Sequence, residues 1–96
     1  MKSRFRAQAE AELREATIWY EARSLGLGAE FLRSVDAALA AIERHPLAFP
    51  IVYRNMRRAV LRRFPYSIIY ELSETEILIV ACIHGRRDPK RWQERA

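Results

Sequence analysis

The sequence has few of the residues from which disulfides, metal sites and cofactor sites are built. Cysteine occurs once, at Cys82, which excludes a disulfide framework and any zinc site that needs several cysteines. Histidine occurs twice, at His45 and His84, without the spacing of metal ligands. We therefore expect no metal and no cofactor.

Glycine and long apolar runs are also scarce. The three glycines, Gly26, Gly28 and Gly85, form no phosphate-binding loop. No apolar run approaches the roughly 20 residues that a membrane helix needs. The charged segment 1–6 lacks the apolar core of a secretion signal. Because 96 residues support one small core, we expect a single cytoplasmic domain, residues 1–96, without a membrane partner.

Positive charge is concentrated in the second half of the chain. The 17 basic and 12 acidic residues give a net charge of +5. Residues 1–45 hold seven of each sign, whereas residues 46–96 hold ten basic and five acidic residues. The basic residues there form two clusters: Arg54, Arg57, Arg58, Arg62 and Arg63, then Arg86, Arg87, Lys90, Arg91 and Arg95. Such a surface suits nucleic acid or an acidic protein segment, and a solvated basic face is the alternative interpretation.

The first half of the sequence predicts a short strand and two helices. The strand is expected at residues 2–6, and the helices at residues 7–25 and 28–45. Each helix has an apolar stripe at helical spacing, formed by Ala9, Leu13, Ala16 and Tyr20 in the first and by Phe31, Val35, Leu39 and Ile42 in the second. Gly26 and Pro46 end them. The short connection favours an antiparallel helical hairpin.

The second half predicts strands after a loop at residues 46–56. Residues 57–64 mix arginines with apolar residues. Tyr66–Leu72 alternates apolar and polar side chains, apart from Ile69, as a half-buried strand does. Glu76–His84 contains a continuous run of largely β-branched apolar residues, typical of a central strand that is covered on both faces.

A short terminal helix completes the predicted fold. Asp88 and Pro89 have the character of an N-cap and a first helical residue, and the helix is expected to continue through Arg95. The predicted order is β-α-α-β-β-β-α. This order indicates an α+β domain in which a helical hairpin packs on a mainly antiparallel sheet.

Several polar and aromatic side chains are interpreted as structural. His84 could act as an acid or base beside cations that hold a phosphate, but a structural hydrogen bond is the favoured interpretation. Cys82 is predicted to lie in the core. A solvated helix face is predicted for Glu10, Glu12, Glu15 and Glu21. Core positions are predicted for Trp19, Tyr20, Phe64, Tyr66 and Tyr70.

Four blocks of the sequence carry a resemblance to a known family: Ala9–Tyr20, Pro46–Pro50, Arg57–Tyr70 and His84–Trp92. They occur in the same order as in that family. Together they resemble the RelE/ParE superfamily of bacterial toxins, and the last block resembles the ParE-type ending. The blocks span nearly the whole chain. The resemblance implies a β-α-α-β-β-β architecture. It also implies a toxin of a type II toxin–antitoxin pair, in the ParE-like branch associated with plasmid stabilisation.

The resemblance implies two targets, of which the motif residues favour one. ParE-like members inhibit DNA gyrase, whereas RelE-like members cut mRNA in the ribosomal A site. Of the positions that cutting members use, Arg58 and Arg87 match. Three positions differ, because Val60, Ser67 and Trp92 stand where a basic residue, an arginine and a tyrosine are usual. Gyrase inhibition is therefore expected, with ribosome-dependent mRNA cleavage as the alternative.

Charge and resemblance together indicate the site residues. The target-binding segment is expected to comprise His84, Arg86, Arg87, Lys90 and Arg91. An acidic antitoxin that folds on binding is the expected partner, and it would meet Arg54, Arg57, Arg62 and Arg63. An mRNA-cutting enzyme would combine Arg58 and Arg87 with His84 as acid or base. A third interpretation is a relic of such a toxin that only binds its antitoxin.

Overall fold

Two long helices, five strands and a short terminal helix make up the computed structural model, which describes all residues from Met1 to Ala96. In chain order they are β1 (Ser3–Phe5), α1 (Ala7–Arg23), α2 (Leu27–Arg44), β2 (Ile51–Tyr53), β3 (Met56–Val60), β4 (Tyr66–Leu72), β5 (Ile77–His84) and α3 (Lys90–Gln93). The predicted α+β class and packing are confirmed. The structure adds β2 inside the predicted loop at residues 46–56, since three residues are too few to show an alternating pattern.

The five strands form one sheet in the order β1-β5-β4-β3-β2. Strand β1 runs parallel to β5, and the remaining neighbours are antiparallel. The apolar run of β5 thus has a strand on each side and buried residues on both faces. This confirms the central strand that the sequence predicts. It also fixes the place of β1, at the sheet edge next to β5.

The helical hairpin turns through a glycine that adopts a left-handed conformation. Helix α1 ends at Arg23, two residues earlier than predicted. Gly26 has a φ of 90° and is the N-cap of α2, so it begins the second helix instead of ending the first. Gly28 lies where a Cβ atom would come within 3.0 Å of the Thr17 carbonyl oxygen, so it permits close approach of the two helices.

Each helix buries its apolar stripe against one face of the sheet. The stripe residues that become fully buried are Ala9, Ala16, Tyr20, Phe31, Val35 and Ile42. They pack on residues from β3, β4 and β5 in a single cluster, and Leu13 and Leu39 lie at its margin. The predicted helix faces are therefore confirmed.

The opposite face of the sheet has a smaller core that the terminal helix covers. Trp92 is 6% exposed and packs in one cluster with Met56, Ile69, Val80, Ala81 and Ile83. The pairing of β4 with β5 shifts between Ile69 and Tyr70, which leaves Val80 without an opposite residue and turns both Val80 and Ala81 to this face. Ile69 of β4 faces this second core, so it is apolar and buried where a half-buried strand would carry a polar residue.

The terminal helix is shorter than predicted. It spans Lys90–Gln93 and does not continue through Arg95. Its N-cap is Pro89 and its first residue is Lys90, so it begins one residue later than predicted, and Asp88 Oδ1 accepts the backbone N–H of Lys90 at 3.0 Å. None of the three helices is both long and apolar enough to cross a membrane.

Candidate functional site

His84 ends β5 and is held in place by three contacts. Its ring lies edge-on to that of Tyr66, its pairing partner in β4, with 5.2 Å between centroids. Its Nδ1 accepts a hydrogen bond from the backbone N–H of Arg86 at 3.0 Å. Its carbonyl oxygen accepts a hydrogen bond from the backbone N–H of Arg87, also at 3.0 Å. Because an accepting ring nitrogen carries no proton, the neutral imidazole holds its proton on Nε2. The structural hydrogen bond favoured by the sequence is present, and Nε2–H makes no bond within the chain.

A groove of about 540 Å³ lies between α1 and the adjoining ends of β4 and β5, and we call it the α1 groove. Its apolar and aromatic lining consists of Ala16, Trp19, Tyr20, Pro65, Tyr66, Cys82 and Ile83. Its polar lining consists of Glu12, Glu15, His84, Arg87 and Arg91. The volume lies within the range of ligand pockets, about 300–1,000 Å³.

Trp19 forms an exposed aromatic wall of the α1 groove. The side chain is 51% exposed, so the predicted core position is wrong for this residue. It stands beside the buried stripe of α1, whose members Ala16 and Tyr20 face the sheet. The guanidinium of Arg23 lies 4.2 Å from the Trp19 ring centroid, and the Tyr20 ring meets it edge-on at 5.1 Å. Both contacts hold the indole in a defined orientation.

The other aromatic positions agree better with the core prediction. Tyr20 and Tyr70 are buried, as predicted. Phe64 and Tyr66 are partly buried and pack against the helix-side core. Tyr66 also lines the α1 groove, so it serves the core and the surface together.

Charged side chains enter the α1 groove from two different elements. Glu15 comes from α1, whereas Arg87 and Arg91 come from the segment after β5. None of the three belongs to the salt bridges of the structure. Glu12, in contrast, is bound to Arg95 at 2.9 Å and is largely buried, so the prediction that it lies on a solvated face is wrong.

The thiol and the phenols of the groove are not activated. Burial, followed by the nearby charge of Glu12, raises the pKa of the Cys82 thiol to about 12. Burial also raises the pKa of the Tyr66 phenol, an effect that the charge of Arg87 partly offsets. Both groups therefore keep their protons at neutral pH. The predicted core role of Cys82 is confirmed.

The structure brings the predicted target-binding residues together at one end of the sheet. The α1 groove is lined by His84, Arg87 and Arg91, and exposed positions beside it are occupied by Arg86 and Lys90. Their segment is fixed at both ends. The Gly85 N–H donates to the Pro65 carbonyl at 2.7 Å, and Trp92 is buried on the far face of the sheet.

A second groove, the α2 groove, lies between α2 and β3 and has a volume of about 1250 Å³. Its apolar lining consists of Leu27, Ala37, Ala38, Ala41, Phe49, Ala59, Val60 and Phe64. The charged residues around it are Glu30, Arg33, Arg44, Arg62 and Arg63, of which four are basic. The groove therefore has an apolar lining that is surrounded mainly by arginine side chains.

Of the four predicted antitoxin-binding residues, only Arg62 and Arg63 lie at the α2 groove. Arg57 donates to the carbonyl oxygens of Leu47 and Phe49, at 3.2 and 2.7 Å. Arg54 lies in the β2–β3 turn with its guanidinium 5.3 Å from the Tyr53 ring centroid. The basic cluster that is continuous in sequence is therefore divided in space.

The residues that match the mRNA-cutting set are not brought together. Ala59 packs into the helix-side core, so its neighbour Arg58 points to the opposite face of the sheet. Arg87 instead lines the groove against α1. Ser67, at the position where the cutting members carry arginine, is buried.

Sequence reasoning missed the contribution of α1 to this site. Glu12, Glu15, Ala16 and Trp19 follow one another at spacings of i, i+3, i+4 and i+7, which places them along one side of the helix. A large aromatic residue just off the buried stripe was the signal that could have indicated a groove. Its partner wall, the end of β5, could not be assigned without the strand order.

Comparison with known proteins identifies the family. The sequence model of the ParE toxin of type II toxin–antitoxin systems, parDE, matches residues 4–89. The chain belongs to the ParE toxin family. The match ends before α3, so Arg91 and Trp92 lie beyond the part that the family model describes. No curated protein sequence matches the chain.

A solved ParE-type structure has the same fold. The structure titled "Chromosomal ParDE TA system from P. aeruginosa" aligns with a TM-score of 0.64 and 19% sequence identity. The alignment covers 88% of this chain and 95% of that one. The family match thus identifies a ParE-like toxin of a type II toxin–antitoxin system, and the solved structure shows the same fold.

Proposed function

We propose that this ParE-family toxin inhibits bacterial growth by binding DNA gyrase in the cytoplasm, and that a cognate antitoxin neutralises it. The observation that carries the proposal is the convergence of His84, Arg87 and Arg91 on the α1 groove, with Arg86 and Lys90 exposed beside it. Cations next to apolar surface suit a protein partner that presents carboxylates. The proposal assigns binding, without bond-making, to this surface.

Cleavage of RNA has less support from the same residues. It needs a group that activates the ribose 2′-hydroxyl and cations that stabilise the developing phosphorane charge. Arg58 and Arg87 point to different surfaces. The Cys82 thiol and the Tyr66 phenol both keep their protons because burial raises their pKa values. His84 is the one remaining candidate base, and its Nδ1 is already occupied by a backbone N–H.

The α2 groove supports the antitoxin half of the proposal. Its apolar lining and four arginines suit an acidic, amphipathic segment that folds on binding. The segment's carboxylates would meet Arg62 and Arg63, and its apolar side chains would supply most of the affinity. Arg54 and Arg57 lie outside this groove, so we give them a longer-range electrostatic role in association.

The neighbouring strand edge adds backbone groups to the α2 groove. The pairing of β2 with β3 ends at the pair Ile51–Arg57. One further backbone hydrogen bond follows, from the Arg58 N–H to the Pro50 carbonyl oxygen. Val60, the last residue of β3, is 65% exposed and has no partner strand on this side. An antitoxin segment lying here could therefore extend the sheet through its own backbone.

Two assays with purified toxin test the proposed target. The first measures supercoiling of relaxed plasmid by purified gyrase, and the second measures cleavage of mRNA on programmed ribosomes. We expect inhibition of supercoiling, reversal of that inhibition by the antitoxin, and intact mRNA. Cleaved mRNA together with unimpaired supercoiling would replace the gyrase proposal with the alternative, ribosome-dependent mRNA cleavage.

The proposed antitoxin partner is tested by co-expression. We expect that a small acidic reading frame beside the toxin gene restores growth when it is expressed with the toxin.

A further inference from the structure

The walls of the α1 groove carry opposite charges. Glu15 stands on the α1 wall, and Arg87 and Arg91 stand on the wall formed by the segment after β5. All three are exposed and lie outside the salt bridges of the structure. The other carboxylate of the groove, Glu12, is bound to Arg95 and to the backbone N–H of Cys82. A ligand therefore meets one negative and two positive groups that have no partner within the chain.

This distribution discriminates between classes of macromolecule. A nucleic-acid backbone presents negative charge alone, so Arg87 and Arg91 would attract it while Glu15 would repel it. A protein segment can present a carboxylate to the arginines and a basic side chain to Glu15. Charge complementarity therefore favours a protein segment that carries both signs.

The α1 wall also presents an exposed aromatic side chain. Trp19 is 51% exposed, and its ring is oriented by Arg23 at 4.2 Å and by Tyr20 at 5.1 Å. A rigid, pre-oriented indole gives up little conformational freedom on binding, and tryptophan is enriched among the residues that dominate protein interfaces. Tyr66, which is partly buried, lines the same groove, so the groove offers an apolar side chain two aromatic surfaces.

His84 adds a directed hydrogen-bond donor. The bond from the Arg86 N–H to Nδ1 fixes the proton on Nε2, which is free to donate. The edge-on contact with Tyr66 holds the ring in position. A carbonyl or carboxylate oxygen of the bound segment is the matching acceptor.

From these observations we infer that the α1 groove binds a segment of the toxin's target protein that has an apolar or aromatic anchor flanked by an acidic and a basic side chain. The anchor contacts Trp19 and Tyr66, the acidic group contacts Arg87 and Arg91, and the basic group contacts Glu15. The inference rests on the proposed function, because it describes how the same surface recognises its target. It adds α1 to a site that the sequence assigned to the C-terminal segment alone.

Matched substitutions on α1 test the anchor. Trp19→Ala is compared with Ile18→Ala, since Ile18 is the adjacent apolar residue, is 64% exposed and does not line the groove. Two readouts are used: supercoiling by purified gyrase, and growth arrest after induction, which does not depend on the identity of the target. We expect Trp19→Ala to raise the toxin concentration for half-inhibition by about tenfold or more, and Ile18→Ala to act as wild type. Circular dichroism and thermal melting check that both variants fold, and antitoxin co-purification is a separate readout.

A charge reversal separates a protein segment from nucleic acid. Glu15→Lys adds positive charge to the groove, so it weakens a mixed-charge protein partner and strengthens binding of a phosphate backbone. Glu74→Lys makes the same charge change at an exposed residue between β4 and β5, and it is the control. We expect Glu15→Lys to weaken growth arrest and Glu74→Lys to leave it unchanged. Stronger action of Glu15→Lys, or tryptophan fluorescence that a single-stranded oligonucleotide quenches in the wild type but not in Trp19→Ala, would overturn the inference in favour of nucleic acid.

The remaining outcomes distinguish the two proposals. If the wild-type toxin inhibits gyrase and Trp19→Ala is equally potent, the inference fails and the proposed function stands. If Trp19→Ala loses antitoxin binding but still arrests growth, the groove belongs to the antitoxin and the inference also fails. If the wild-type toxin arrests growth without inhibiting gyrase, the proposed target is wrong, and the growth assay still decides the inference. A wild-type toxin inactive in both assays overturns both.

Discussion

Glu12 of α1 and Arg95 near the C-terminus form a bidentate salt bridge, in which Nη1 and Nη2 each lie 2.9 Å from a carboxylate oxygen. The same two side chains satisfy backbone groups at the irregular part of β5. Arg95 Nη1 donates to the Val80 carbonyl at 3.0 Å, and Glu12 Oε1 accepts the Cys82 N–H at 3.1 Å. The salt bridge thus joins the first helix, the shifted strand pairing and the end of the chain.

Arg95→Ala is expected to destabilise the fold. The Arg95 and Glu12 side chains are 11% and 19% exposed, so the substitution leaves a largely buried carboxylate and the Val80 carbonyl without partners. Loss of one member of a fully buried pair costs about 3–5 kcal/mol, and partial exposure reduces that, so we expect about 2–3 kcal/mol. Denaturant unfolding measures it. The exposed pair Glu10–Arg14, 3.6 Å apart, provides the control Arg14→Ala, with a loss below about 1 kcal/mol. Equal losses in the two variants would contradict this role.

Glu21 is exposed, as the sequence predicts, and its carboxylate also has a structural role. Its carboxylate oxygens accept the backbone N–H of Gly26 and of Gly28, at 2.9–3.1 Å, and so bind the first amides of α2. These two bonds lower the pKa of Glu21. A group whose pKa is lowered by folding stabilises the native state above its unfolded pKa, about 4.3 for glutamate, and loses that contribution as the pH falls through the folded value.

Glu21→Ala should therefore lower the melting temperature at neutral pH and have less effect in acid. The difference from wild type should be constant above about pH 5 and shrink as the pH falls through and below about 4. Thermal melts at a series of pH values measure the difference. Glu74→Ala, which removes an exposed carboxylate without these bonds, should show neither effect. A pH-independent difference for Glu21→Ala would contradict the assigned cause.

Short-range patterns in the sequence predicted most of the fold. The stripe containing Ala16 and Tyr20, the apolar run of β5 and the Asp88–Pro89 start of α3 all depend on neighbours within one or two helical turns, so periodicity and capping chemistry reveal them. Strand β2 was not predicted because three residues are too few to show an alternation of apolar and polar side chains. The start of α2 was displaced because Gly26 caps the following helix and does not end the preceding one.

The candidate site was only partly predictable for a different reason. Its C-terminal segment is continuous in sequence, and its residues form a visible basic cluster. The contribution of α1 depends on the antiparallel pairing of β4 with β5 and on the contact of α1 with that end of the sheet. Glu12 pairs with a residue 83 positions away, a contact that no local pattern encodes.

Trp92→Ala is expected to lower stability and toxicity together. Trp92 is 6% exposed, packs in the smaller core and meets the Tyr53 ring edge-on at 6.1 Å. Truncation of a buried tryptophan typically costs about 3–5 kcal/mol. It also frees the segment that holds Arg91 at the α1 groove. The melting temperature and growth arrest are the measurements, and the half-exposed Trp19 provides the control, since Trp19→Ala should leave the melting temperature nearly unchanged. A Trp92→Ala protein that melts like wild type would contradict the anchoring role.

Arg62→Glu is expected to slow association with the antitoxin more than Arg54→Glu does. Both substitutions change the net charge equally, but Arg62 lines the α2 groove and Arg54 lies on the Tyr53 ring in a distant turn. Association of the wild type should be faster at low salt because screening weakens attraction between the basic groove and an acidic segment. Stopped-flow mixing at two ionic strengths measures both effects. Equal rates for the two variants, or a wild-type rate independent of salt, would contradict recognition at this groove.

The double substitution Arg86→Ala and Arg87→Ala should abolish growth arrest while leaving the fold intact. Both side chains are exposed and outside the salt bridges, so the loss of stability should stay within about 0.5 kcal/mol per site. The Arg86 N–H that bonds to His84 belongs to the backbone and survives the change. Toxicity should nevertheless be lost, because the turn after β5 places both arginines at or beside the α1 groove and alanine removes both guanidiniums. Induced growth arrest, thermal melting and antitoxin co-purification are measured on the same variant. A protein that folds, binds antitoxin and still arrests growth would move the target-binding role from this segment to the arginines of β3.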